Sequence, residues 1–112
     1  MNSDDIARRK NEWFEKLERE GKLTKNPTES HKFGLNVLQN TLRREILVFI
    51  GNERKSFEEI KDKFNLNNQM ANFHLNMLED AFYVEKMEEE RKIFYILTLL
   101  GEVYLENVEM KK

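Results

Sequence analysis

Two short helices joined by a tight turn and followed by a β-hairpin, all within residues 56–98, predict a mainly α chain with a small β-hairpin. This order is a winged helix-turn-helix, here with an extra helix at each end. Three observations predict it. Ser56-Phe57-Glu58-Glu59 is a capping box, in which the Ser hydroxyl and the Glu carboxylate each satisfy an amide otherwise unpaired at a helix start. Phe57, Ile60 and Phe64 then share one helical face, Asn65-Leu66-Asn67 breaks the pattern, and Ala71, Leu75 and Leu78 resume it. After Ala81 the period changes, and residues 83–87 and 93–97 become β-branched and aromatic runs around a charged turn, so that 83–97 forms the wing.

The flanking segments follow in chain order. Residues 4–20 form a charged helix with an apolar stripe of Ile6, Trp13, Phe14 and Leu17, ended by Gly21. That stripe serves either to pack the helix on its own domain or to pack it across a dimer. Residues 22–27 hold the only proline and form a linker, which divides the chain into an N-terminal helix and linker (1–27) and a winged-helix domain with its C-terminal helix (28–112). Thr28 caps a second helix with Phe33, Leu35, Val37 and Leu38. Asn40 caps a third, whose stripe is Leu42, Ile46, Phe49 and Ile50, and Gly51-Asn52 stops it. Residues 99–109 keep Leu100, Tyr104 and Val108 at a spacing of four and form the last helix.

Composition narrows the function. With 112 residues and 39% hydrophobic content the chain fits one domain, and the absence of cysteine excludes disulfides and thiolate metal sites. No apolar run approaches the roughly 18 residues that cross a bilayer, and Met1-Asn2-Ser3-Asp4-Asp5 lacks the order of a signal peptide, so a cytoplasmic protein without a membrane partner is expected. There is no Gly-rich phosphate loop, no nucleophile elbow and no His-Glu-x-x-His, and no enzyme is expected.

Leu42-Arg43-Arg44-Glu45-Ile46-Leu47, Phe57-Glu58-Glu59-Ile60, residues 73–81 (FHLNMLEDA), and Phe94-Tyr95-Ile96-Leu97-Thr98 with Gly101 together resemble the arsenic-repressor-type (ArsR-like) winged-helix regulators of prokaryotes. The resemblance spans about residues 28–106. It implies a homodimeric DNA-binding transcription regulator in which the helix after the wing joins the N-terminal helix at the dimer interface. Ile6, Trp13, Phe14, Leu17, Leu100, Tyr104 and Val108 are then the interface residues. Metal sensing in that family relies on cysteine clusters that this chain lacks, so no metal or other cofactor is expected.

Placing Ala71, Leu75 and Leu78 inward on a reading helix at about 68–81 turns Gln69, Phe73, Asn76 and Asp80 outward, with Asn72 and Met77 at the edges. Asn and Gln can bond adenine N6 and N7 while an apolar group packs on the thymine methyl, so Asn68, Gln69, Asn72, Phe73 and Asn76 suit an A·T-rich major groove. His74 lies on the inner edge, where a neutral imidazole can bond into the scaffold. The electrostatics oppose DNA binding. Over residues 56–81, Lys61 and Lys63 stand against Glu58, Glu59, Asp62, Glu79 and Asp80, a balance of −3, and the reading helix holds no Arg or Lys. Phosphate contacts therefore fall to Arg43, Arg44, Arg54, Lys55, Arg91 and Lys92.

The wing tip, Glu88-Glu89-Glu90-Arg91-Lys92, sets three carboxylates beside two cations, and a solvated turn that guards a sheet edge explains it equally well. Phe82 stands where the resembling family has glycine; if that position needs a positive φ, the turn should be altered. Two functions follow: a sequence-specific DNA-binding regulator with its reading helix in the major groove and its wing on the backbone, or a winged-helix protein-interaction module that docks a partner through Phe73 and Met77.

Overall fold

A computed structural model describes residues 3–21 and 27–110, with the side chains of residues 3, 4, 6, 27–31, 109 and 110 left undescribed. The described elements run α1 (Ser3–Arg19), α2 (Pro27–Val37), α3 (Thr41–Ile50), β1 (Lys55–Ser56), α4 (Phe57–Lys63), α5 (Asn68–Asp80), β2 (Val84–Glu89), β3 (Lys92–Leu97) and α6 (Leu99–Met110). This is the expected winged helix-turn-helix with a helix at each end. The expected Ile6 contact and residues 22–26 of the expected 22–27 linker lie outside the described residues or side chains, and Pro27 belongs to α2 rather than to a linker. Thr28 is not a cap, because α2 already begins at Pro27. Proline suits a first helical position, where its missing N–H is no loss.

The helices start where small polar residues can accept their free amides. The Asn40 side chain accepts from the Arg43 N–H at 3.1 Å, Ser56 Oγ from the Glu59 N–H at 3.0 Å, and the Asn67 side chain from the Met70 N–H at 2.8 Å. Val37, Ile46, Leu47, Ile50, Ile60, Leu75, Leu78, Val84 and Tyr95 are the most deeply buried side chains and draw α2, α3, α4, α5 and the sheet into one core.

The sheet has the order β1-β3-β2, all antiparallel. Strand β1 is not foreshadowed by the sequence pattern: its two residues, Lys55 opposite Tyr95 and Ser56 opposite Phe94, carry no alternation that could announce a strand. Ser56 thus ends a strand and caps a helix at once.

Both helices of the helix-turn-helix end in the same motif. After α4, the Asn65 N–H donates to Asp62 O and the Leu66 N–H to Lys61 O, with Asn65 at φ 53°. After α5, the Phe82 N–H donates to Glu79 O at 2.9 Å and the Tyr83 N–H to Leu78 O at 3.0 Å, with Phe82 at φ 65°. These paired bonds are a Schellman stop, which needs one left-handed residue and usually takes glycine. Asn tolerates that conformation; Phe does so at a cost of roughly 1–2 kcal/mol. The expected change of turn geometry is therefore corrected: the turn keeps its left-handed residue, and the Phe82 ring goes edge-on to Trp13 of α1, 5.9 Å between centroids.

The exit from the wing is equally close. Thr98 Oγ1 donates to Phe82 O, Thr98 N donates to Tyr83 O, and Gly101 N donates to Thr98 Oγ1 at 3.3 Å. A Cβ on Gly101 would lie 2.3 Å from Tyr83 O, so only glycine lets the first turn of α6 approach the hairpin.

Phe82→Gly should relieve the left-handed strain and release α1 together. The expected result is a denaturation midpoint changed by less than about 1 kcal/mol equivalent with a red-shifted emission of Trp13, the only tryptophan. Unchanged Trp13 emission would contradict the contact.

Candidate nucleic-acid interface

Helix α5 buries Ala71, His74, Leu75 and Leu78 and presents Asn68, Gln69, Asn72, Phe73 and Asn76 to solvent. Its outward face carries amides and one aromatic ring, with no charge before Glu79. Phe73 is 51% exposed, yet its ring is held: the His74 ring lies 5.3 Å away at 71° and the Arg43 guanidinium carbon 5.5 Å from its centroid. Met77 is only half-buried rather than fully exposed, and Met70, 43% exposed, is an unanticipated part of the face. The same helical rotation sets Met70 beside Met77, so its signal was present in the sequence. Lys61 Nζ bonds Asn68 Oδ1 at 3.1 Å and Glu58 at 3.0 Å, which ties α4 to the first turn of α5.

Two expected phosphate ligands face elsewhere. Arg43 is 8% exposed; its Nε donates to His74 Nδ1 at 3.2 Å and its Nη1 to Val37 O at 3.4 Å. Arg44 donates to Leu38 O and to Thr41 Oγ1. The reason is the end of α2, whose last carbonyls lack intrahelical donors and attract cations. Arg43 is thereby withdrawn from the phosphate-facing set, and Arg44 is half-buried and engaged. Lys55 is also compromised: its side chain is 16% exposed, bonds Glu53 at 3.1 Å and lies over the Phe49 ring.

His74 sits on the inner edge of α5, as its helical position predicts, and is 5% exposed. Burial first, and the neighbouring Arg43 charge second, push its pKa below the ordinary 6.5. A neutral ring with Nδ1 free to accept is what the Arg43 Nε requires.

At the wing tip, Glu90 (φ 50°) and Arg91 (φ 68°) are the two central residues of a two-residue hairpin turn between Glu89 and Lys92. This is the type I′ geometry, which favours Asn-Gly. Arg91 and Lys92 are exposed there, as are Glu88 and Glu90. Glu89 is paired with Arg54, whose guanidinium stacks 4.3 Å from the Phe94 centroid, so this cation is spent on the wing itself.

The expected dimer residues separate. Leu17, 5% exposed, is covered by its own chain and leaves the candidate interface; Trp13 packs on Phe82 and on Phe14. Arg9 joins α1 to α6 through Glu102 at 3.0 Å. Of the two roles open to α1, packing on its own domain is the one seen in the single chain. Phe14, Leu100, Tyr104 and Val108 stay half-buried, whereas Leu105 turns into the core. Among the described residues no group of three or more His, Cys, Asp or Glu is placed to hold a metal, and no helix is long and apolar enough to cross a membrane.

No protein-family model and no curated protein matches the chain. Solved structures do. The structure is similar to HlyU from Vibrio cholerae, at 19% identity and a TM-score of 0.68 over 78% of this chain and 96% of that one. It is similar to the homodimeric winged helix-turn-helix DNA-binding domain of Mb0332 from Mycobacterium bovis, a possible ArsR-family regulator, at 19% identity and a TM-score of 0.68 over 74% and 78%. It is also similar to the transcriptional repressor BigR from Xylella fastidiosa, at 17% identity and a TM-score of 0.62 over 98% and 95%. The fold is thus the winged helix-turn-helix that these solved structures share.

Because the folded state lowers the His74 pKa, the unfolded chain takes up the proton first as pH falls below 6.5. The contribution is fully present above that pH and is lost below it. His74→Asn keeps an acceptor for Arg43 and removes the titration. Wild type should lose thermal stability between about pH 7 and 5 by more than this variant does; parallel curves would contradict the assignment.

Proposed function

We propose that the chain is a homodimeric, sequence-specific DNA-binding transcription regulator that acts by binding, in the cytoplasm, with α5 in the major groove and the wing on the flanking backbone. The observation that carries this reading is the outward face of α5: Asn68, Gln69, Asn72, Phe73 and Asn76 exposed together on a helix whose other side is locked into the core. Amide side chains pair with adenine, and a fixed aromatic ring suits a thymine methyl, so an A·T-rich half-site is the target. Backbone contact falls to Arg91 and Lys92, which hold the exposed wing tip. The similarity to HlyU, Mb0332 and BigR supports the regulator class, and the homodimeric state of the Mb0332 domain supports pairing of two copies. The half-buried Phe14, Leu100, Tyr104 and Val108 on α1 and α6 are the surfaces for that pairing.

Two observations favour the second reading, a protein-interaction module. The helix-turn-helix balance of −3 repels phosphate, and Phe73 is exposed. Against it, Met77 is half-buried and so offers a partner less surface than a fully exposed side chain would.

Mutation separates the roles. Gln69→Ala or Asn76→Ala should cost roughly 1–3 kcal/mol on the preferred site and relax its sequence preference. Arg91→Ala or Lys92→Ala should weaken binding to every sequence and flatten the salt slope by about one unit for each phosphate ligand removed. Indistinguishable effects would reject the groove-and-wing arrangement, and absence of DNA binding together with a protein partner that Phe73→Ala no longer holds would establish the module. Light scattering should give twice the chain mass; a monomer at all micromolar concentrations would reject the dimer.

A further inference from the structure

Two locally unfavourable choices converge on one place. Helix α5 has no basic residue in its last turn and instead carries Glu79 and Asp80 there, against the negative end of its own dipole. Immediately after it, Phe82 occupies the left-handed stop position that glycine fills without strain. Neither choice helps the fold locally, and such departures mark functional sites more often than scaffold.

Between them and α1 lies a cavity of about 350 Å³. Its apolar walls are Trp13, Leu17, Phe82 and Val84. Trp13 and Phe82 stand at 87° to each other, two aromatic surfaces forming a corner rather than a stack. Among the described residues, its polar rim sets Glu20, Glu79, Asp80 and Glu85 against one cation, Lys16. An aromatic corner beside carboxylates and a helix C-terminus attracts positive charge from three sources: ring quadrupoles, formal charge and backbone dipole. The volume falls at the small end of ligand pockets.

We propose that this cavity is a binding site for an amphipathic organic cation, an aromatic or alkyl ammonium whose apolar part enters the Trp13–Phe82 corner while its charged head faces Glu79, Asp80 and Glu85. The strained Phe82 then has a purpose: its ring is one wall. The acidic last turn of α5 also has one, since the ligand neutralises it. The site's floor is the end of the proposed reading helix and the first residues of β2, so occupancy stiffens the junction between helix and wing. Binding itself does not depend on DNA recognition.

Trp13 reports on the site directly. The full chain is titrated with benzyltrimethylammonium, benzenesulfonate and benzyl alcohol while Trp13 emission is followed. Benzyltrimethylammonium should give a saturable change, half-complete near about 1 mM for so small a ligand. Benzenesulfonate should give none, and benzyl alcohol should bind at least about fivefold more weakly. Glu79→Gln with Glu85→Gln, both on the surface rim, should weaken the cation roughly tenfold without moving the alcohol. Equal responses to cation and anion, a response unchanged in the double variant, or no saturation overturns the proposal. So does Trp13 emission that depends on protein concentration and is insensitive to ligand, because a second copy would then fill the cavity.

Discussion

The buried guanidinium of Arg43 is the contact on which the arrangement depends. From α3 it reaches the terminal carbonyl of α2 and the imidazole of His74 on α5, and its guanidinium carbon lies 5.5 Å from the Phe73 ring centroid. One side chain therefore fixes the angle of the proposed reading helix against the two helices behind it. Burying a cation is costly unless its donors find acceptors, and here a carbonyl and a neutral imidazole each take one of them. Lysine could not replace it, having no planar fork to serve two acceptors in fixed directions.

This internal use of arginine has an external consequence. Arg43 and Arg44 close the end of α2, Arg54 holds Glu89, and Lys61 braces the start of α5. The surface that would meet a duplex is left with amides, Phe73, Met70 and the cations of the wing tip. A DNA-binding protein so built would gain little from phosphate attraction anywhere along DNA, and its discrimination would rest on a low background.

Much of this was legible in the sequence because it is local. Capping by Asn40 and Ser56, the break at residues 65–67, and the outward arc of α5 all follow from side chains within one or two turns. What was not legible is what depends on distant partners. Arg43 reads as a surface cation until the end of α2 and His74 are brought to it across the fold. β1 exists only because β3 lies beside it. Phe82 reads as a damaged turn until Trp13, far away in the chain, supplies a surface for its ring. Leu17 reads as interface until its own core covers it.

Recognition with few phosphate contacts, because the basic residues serve the scaffold, is tested most directly by the salt dependence of binding to a selected A·T-rich duplex. With Arg91 and Lys92 on each of two wings, the association constant should fall with salt on a log–log slope of magnitude about 4 or less. A slope of about 8 or more would mean that many further cations reach the backbone, and no binding at about 0.05 M salt would mean that α5 does not read DNA at all.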